Sequence, residues 1–154
     1  MRNILFKAKR QDNSEWVSGG TIVQFLDNGI RSFYMPQFNE KCDCTHDDAT
    51  DDILGFENCR FYKVNPDTIC QCTGLTDKNG NLIYENDIVR YYDDLADMNK
   101  KDLVKWNETH ASFTRLHKTQ MGSQYLYIDE FIANRCEVIG NIFDNPELLE
   151  ELEE

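Results

Sequence analysis

QCTGLTDKNGNLIYENDIVRYYD, residues 71–93, sets strand, tight turn, strand, corner and strand in close succession. Ile69–Thr73 has strand character, and Asp77-Lys78-Asn79-Gly80 suits a type I turn with Asp first and Gly fourth. Leu82–Tyr84 leads back. Glu85-Asn86-Asp87 then forms a corner, where Asn86 tolerates a left-handed backbone and Asp87 can accept backbone N–H bonds. Ile88–Tyr92 follows, with Ile88, Arg90 and Tyr92 opposite Val89 and Tyr91. Backbone needs account for most of these residues, so the stretch reads as a structural hinge between the strands before it and those after it.

Upstream, residues 3–9 alternate, with Ile4, Phe6 and Ala8 on one face, as in a half-buried strand. Trp16 and Val17 begin a second strand. Thr21–Leu26 and Ile30–Met35 flank Asp27-Asn28-Gly29, which predicts a hairpin with a three-residue loop, ended by Pro36. Residues 39–54 hold Asp43, Asp47, Asp48, Asp51 and Asp52 without periodicity and read as an exposed acidic loop. Cys59–Val64 returns to strand, and Asn65-Pro66-Asp67-Thr68 is a turn at a boundary. This divides the chain into a β-rich region, 1–65, and a second part, 66–154.

Downstream, Asp93–Lys101 reads as a polar loop. Leu103–Trp106, Ala111–Leu116, Tyr125–Ile128 and Cys136–Ile139 are strand candidates, and Asp129–Ala133 is a helical turn. Gly140-Asn141 ends the last strand. Asn145 as N-cap, Pro146 at the first helical position and Glu147 at the positive dipole end predict a short C-terminal helix. Many short strands without a long amphipathic helix predict a mainly β chain, a barrel or roll.

The chain has 154 residues and a net charge of −12. Residues 39–58 carry seven acidic groups and one basic, and residues 146–154 carry five acidic groups and none basic. Eleven of the twelve excess charges therefore sit in one loop-like segment and the tail. The balance argues against unaided binding to a phosphate backbone, which needs clustered Lys and Arg. No run approaches the roughly 18 apolar residues of a membrane span, and no signal-like stretch follows the N-terminus, so a cytoplasmic protein is expected. The six cysteines are then expected as free thiols.

An ordered series of segments resembles the YopX family of phage and prophage proteins. It comprises Asn3–Lys9, Asn65-Pro66-Asp67-Thr68, Gln71, Thr73-Gly74-Leu75, Asp77-Lys78-Asn79-Gly80, Ile83-Tyr84-Glu85 and Asp87-Ile88-Val89. Val104, Trp106 and Phe113 continue it, and Val138-Ile139-Gly140-Asn141-Ile142 with Asn145-Pro146-Glu147-Leu148-Leu149 closes it. Asn86 stands where the family usually has Gly. Cys70 and Cys72 flank Gln71 where apolar or aromatic residues are more common, and the Asp-rich insert looks peculiar to this chain. The resemblance implies an SH3-like β-barrel for the C-terminal part, with the N-terminal strands packed against it, and a phage or prophage origin. It brings no catalytic residues with it.

Gly74, Asp77, Gly80, Asn86, Asp87, Gly140, Asn141 and Pro146 are thus expected to carry structure. Cys42, Cys44, His46, Cys59, Cys70 and Cys72 are candidate zinc ligands by type. A Cys-x-Cys pair on a strand sets its Cα atoms roughly 6.5–7 Å apart, against the usual knuckle spacing, so core thiols are the better reading. The Asp cluster lacks the alternating spacing, central Gly and closing Glu of a calcium loop. His46, His110 and His117 belong to no catalytic signature, and no phosphate-binding Gly loop or nucleophile elbow is present. No cofactor is implied. Tyr84, Tyr91, Tyr92, Tyr125 and Tyr127 are candidates for an aromatic surface. The expected function is a non-enzymatic protein-interaction module whose partner is another protein or a second copy. A nucleic-acid-associated accessory protein is the alternative.

Overall fold

The computed structural model describes residues 4–38, 59–119 and 122–150. The acidic segment with Cys42, Cys44 and His46 lies outside the described residues. The chain divides into two compact units, Leu5–Ile69 and a second made of Met1–Ile4 with Cys70–Glu154. The described elements are mainly β-strands.

In the first unit, β1 (Phe6–Lys9) and β2 (Trp16–Gly19) pair as an antiparallel hairpin. β3 (Val23–Asp27), β4 (Ile30–Phe38) and β5 (Cys59–Val64) form an antiparallel sheet with β4 in the centre. Ala8, Val17, Met35 and Val64 are its buried core, with Phe6, Phe33 and Tyr62 packed around them. The β3–β4 loop is shorter than the sequence predicts. Asp27 pairs with Ile30, leaving only Asn28 and Gly29, both at positive φ (48° and 81°). That is the two-residue turn whose twist matches its strands, and it explains the Asn-Gly dipeptide. The β3–β4 pair ends before Pro36, as expected, but the strand itself does not. β4 runs on to Phe38, because β3 stops at the Val23–Tyr34 pair and one flank of β4 no longer needs a donor.

The second unit holds β6 (Cys70–Thr76), β7 (Leu82–Tyr84), β8 (Asp87–Asp93), β9 (Met98–Asn107), β10 (Ser112–Thr119), β11 (Gly122–Tyr127) and β12 (Glu137–Asn141). It also holds the short helices α1 (Glu130–Ala133) and α2 (Pro146–Glu150). β8 to β12 make a five-stranded antiparallel sheet in the order β11-β10-β9-β8-β12. The predicted loop 93–101 shrinks to residues 94–97. Asp93 Oδ1 accepts the N–H groups of Leu95 and Ala96, so β8 turns directly into β9. One sheet face packs Val89, Val104 and Tyr91 against Ala133, Ile132 and Cys136. The other packs Ile88, Leu103 and Leu116 against Leu148 and Leu149 of α2.

The expected closed barrel is not what these strands make. Among the described residues the five-stranded sheet stays open, with β11 and β12 at its edges. β12 carries an extra residue between Val138 and Gly140, where its register with β8 shifts. Backbone groups at its start bond to a turn instead of a sixth strand. Val138 N–H donates to Asp77 Oδ2 (3.0 Å), and Lys78 N–H donates to the Cys136 carbonyl (3.0 Å).

Asp77 therefore does more than open a turn. Gly80 N–H donates to the Asp77 carbonyl, the predicted type I closure, with Gly80 at φ 85°. The Asp77 carboxylate, 2% exposed, accepts N–H bonds from Asn79 and Asn81 (2.8 Å each), from the Asn81 amide (3.2 Å) and from Val138. Burial pushes its pKa up, but these bonds outweigh it and hold the carboxyl below its ordinary value. The corner behaves similarly. Asn86 takes φ 68°, its N–H donates to the Val104 carbonyl, and its carbonyl accepts from Ile142 N–H. Asp87 Oδ2 accepts Tyr84 N–H at 2.8 Å. Asn141 Oδ1 accepts Phe143 and Asp144 N–H groups, and a Cβ on Gly140 would lie 2.4 Å from Asn145 Oδ1. That oxygen faces Asn141 N–H (3.4 Å) and not the helix interior, so Asn145 braces the last turn as well as preceding Pro146.

Two outcomes follow for stability. Asp77→Ala strands several buried donors and is expected to cost about 2–4 kcal/mol in urea unfolding at neutral pH. Because the folded pKa is depressed, this stabilisation is fully present above the unfolded carboxyl pKa of about 3.9 and fades as pH falls through the lower folded value. The gap between wild type and Asp77→Ala therefore narrows in acid. At Asn86, Gly keeps the positive φ and Ala does not, so Asn86→Ala is expected to lose about 1 kcal/mol more than Asn86→Gly. Equal losses would mean that the side-chain bonds, not the corner, set the requirement.

Candidate functional site

The sheet face that packs against α1 carries a buried charged cluster. Asp102 on β9 is 0% exposed. Its Oδ2 accepts Nη1 of Arg115 at 2.7 Å, and its Oδ1 lies 2.7 Å from Nδ1 of His117. Strand alternation assembles the group. Arg115 pairs with Val104, and Asp102 and His117 stand two residues further along the same face of their strands. The Arg115 guanidinium lies 4.6 Å from the Tyr91 ring centroid, and its Nε donates to the Tyr127 carbonyl at 3.2 Å. Burial, reinforced by the Asp102 charge, pushes the Tyr91 phenol up to about 12, so it stays a protonated donor.

The cluster borders a cleft of about 330 Å³ lined by Tyr91, Arg115, Leu126, Ile132, Arg135 and Cys136. Burial raises the Cys136 thiol above its ordinary value, with Arg115 pulling the other way. It is therefore a thiol at neutral pH, and not an activated nucleophile. The cleft offers guanidinium and phenol donors over an apolar floor, which suits holding a group more than attacking one.

Beside the cleft runs β11, an edge strand of the sheet. Its sequence, GSQYLY, has no charge and no proline. Tyr125 is 58% exposed and Tyr127 78%. The two edges of the sheet thus differ, since the Asp77 turn bonds to β12 while β11 is exposed at five of six positions.

The other candidates scatter. Tyr84 is 9% exposed, so it belongs to the core and not to a surface, since it pairs with the buried Cys72 across β6 and β7. Tyr91 is half-buried in the charged cluster. Tyr92 is exposed and hydrogen-bonds to Asp97. Cys70 and Cys72 are buried free thiols, as their core reading expects, and each accepts a hydrogen bond, from the Asn86 amide (3.5 Å) and Gly74 N–H (3.4 Å). Cys59 begins β5. Among the described residues no three His, Cys, Asp or Glu side chains gather as a metal site. Asp102 and Arg115 belong to no local sequence motif. The available signal was a charged residue at an inward position on each of two adjacent strands.

Removing one partner of a buried ion pair is costly, because the other charge stays behind. Asp102→Asn is expected to lose about 3–5 kcal/mol, and Asp102→Asn with Arg115→Met to lose less than Asp102→Asn alone. Chemical denaturation of both variants checks this. A double variant less stable than the single one would show that Arg115 packing, not its charge, is what Asp102 supports.

Among the described residues no helix is long and apolar enough to cross a membrane. No curated protein matches the chain. Among solved structures, the chain is similar to the crystal structure of protein EF1440 from Enterococcus faecalis. Identity is 21%, with 95% of this chain and 97% of that chain covered, and the TM-score is 0.51. At that identity the likeness bears on the fold, and it extends over both units. The family model described as YopX protein matches residues 5–150, nearly the whole length. The chain belongs to the YopX family.

Proposed function

We propose that this protein is a non-enzymatic interaction module, of phage or prophage origin, acting in the bacterial cytoplasm by receiving an extended segment of another protein along β11. The observation that carries the reading is the difference between the sheet edges. An exposed edge strand presents a row of unused backbone donors and acceptors, and proteins usually blunt it with charge, proline or cover. Here β12 is bonded to the Asp77 turn, whereas β11 is exposed, uncharged and free of proline. A partner strand would add to it by backbone hydrogen bonding, with a side chain directed into the adjacent cleft. The short antiparallel strands β8, β9 and β10 in sequence also support an SH3-like description of the second unit, open at this edge.

The test uses two prolines. In an antiparallel ladder alternate N–H groups point outward, so one of Ser123→Pro and Gln124→Pro removes an edge donor and the other removes a ladder bond. Tagged wild-type chain is expressed in a bacterium carrying it, and bound proteins are compared with a tag-only control. The variant that keeps the wild-type Tm is expected to lose the partner recovered by wild type. Light scattering on the same samples identifies a second copy as the partner. Recovery of no protein above control with a monomeric chain, or retention of the partner by the edge variant, overturns the reading.

A further inference from the structure

Strand β11 buries little of itself. Among the described strands only β10 flanks it, no residue of it is buried, and Leu126 alone is half-buried. A strand with so few buried contacts belongs to the low-stability end of a fold, where local opening competes with order. An edge that opened would have to be ordered again as a partner bound, and that ordering entropy would be subtracted from the binding free energy.

Side chains of β10 fasten both ends of β11. At its start Thr119 Oγ1 donates to the Gly122 carbonyl at 2.8 Å, a local bond within one hairpin. At its end Arg115 Nε donates to the Tyr127 carbonyl at 3.2 Å. Tyr127 is the last residue of the strand, and the Asp129 cap of α1 follows two residues on, so this bond sits where the chain leaves the sheet.

The second fastening is anchored deep in the sheet. The Arg115 side chain is 7% exposed. Its Nη1 donates to Asp102 Oδ2 at 2.7 Å, and its guanidinium stacks 4.6 Å from the Tyr91 ring centroid. The other Asp102 oxygen lies 2.7 Å from His117 Nδ1, so the carboxylate is held from both sides. One planar group on β10 thus engages β8 through Tyr91, β9 through Asp102 and β11 through Tyr127. A guanidinium can do this because its donors point in different directions in one plane while its face stays free to stack. A lysine ammonium at the same place would keep the charge and lose the geometry.

We propose that Arg115 is the positioning residue of the β11 edge. It keeps the end of the strand, and the Leu126 side chain that lines the cleft, in the conformation an incoming segment meets. Asp102 and His117 act through it. Its use rests on the reading of β11 as a receiving edge, whereas the fastening is a property of the free chain. Preorganisation of this kind strengthens binding by removing the ordering step, without adding a contact.

Hydrogen exchange followed by mass spectrometry on the full chain reads the fastening. Arg115→Lys keeps a cation for Asp102 and removes the Nε donor. Peptides covering 122–128 are expected to exchange at least about 5-fold faster in this variant than in wild type, while those covering 87–93 and 98–107 keep their wild-type rates. A merely structural role would raise exchange in all three regions and lower Tm with it. Unchanged exchange over 122–128, or an equal rise in all three, overturns the proposal. Should Arg115→Lys fail to fold, NMR of the wild type decides. The Arg115 Nε–H is expected as a resolved resonance protected from solvent, and a rapidly exchanging one overturns the proposal. In the capture assay Arg115→Lys is expected to retain at least about 5-fold less of the partner that wild type recovers. Loosened β11 with undiminished capture also overturns the positioning role. Loosened β11 with no partner recovered by wild type overturns the receiving edge and leaves the fastening standing.

Discussion

The carboxylate of Asp77 is the interaction on which the second unit most depends. One buried anion collects three backbone N–H groups and a side-chain amide, from the 77–81 turn on one side and from β12 on the other. Burying it costs solvation, and only the four donors make it favourable as an anion. Those bonds close the turn between β6 and β7 and fasten that turn to the start of β12. One sheet edge is thereby occupied by a side chain and a turn, so no further strand is required to satisfy it. The open form of the sheet follows from this. A barrel would need β12 to bond another strand where Val138 N–H now bonds Asp77.

The same sheet separates charge by face. On the side under α1, Asp102 neutralises Arg115 and orients His117, so the charges are consumed within the fold. On the other side stand Arg90, Lys101, Lys105 and Lys118, with Arg90 paired to Glu137 of β12. Periodicity of two is what permits this. Moving a strand's register by one residue would carry Asp102 to the lysine face and cancel both arrangements. Register is fixed by the two apolar clusters, which demand that Val89 and Val104 point one way and Ile88 and Leu103 the other. The apolar core therefore sets the electrostatics of both surfaces.

How much of this was legible in the sequence depended on range. The Asp77–Gly80 turn, the left-handed Asn86, the Asp129 cap of α1 and Pro146 at the start of α2 are local, and each side chain acts within a few residues of itself. Residue type alone carries that information. Asn28-Gly29 was legible in kind but not in length, because the register Asp27–Ile30 that shortens the loop is set across the sheet. Val138 N–H reaches Asp77 over 61 positions, and Arg115 reaches Asp102 over 13. Such pairs exist only once strands are aligned. The tyrosines show the same limit. Tyr84 and Tyr125 look alike as strand aromatics, and only their pairing partners, Cys72 in the core and Leu116 beside an edge, separate core from surface.

Charge shows why the sum over a chain is a poor guide to what its surfaces bind. Electrostatic attraction acts over about a Debye length, near 8–10 Å at physiological salt, so a ligand on β10 and β11 responds to groups within that reach. Among the described strand residues those groups are Arg90, Lys101, Lys105 and Lys118, with Glu137 of β12 paired to Arg90. A chain of net −12 thus has one sheet face on which the charged residues of β8 to β11 are all cations. The constraint that makes it so is the one that keeps Asp87, Asp93 and Asp102 on the opposite face, where each is held by a hydrogen bond or an ion pair within the fold.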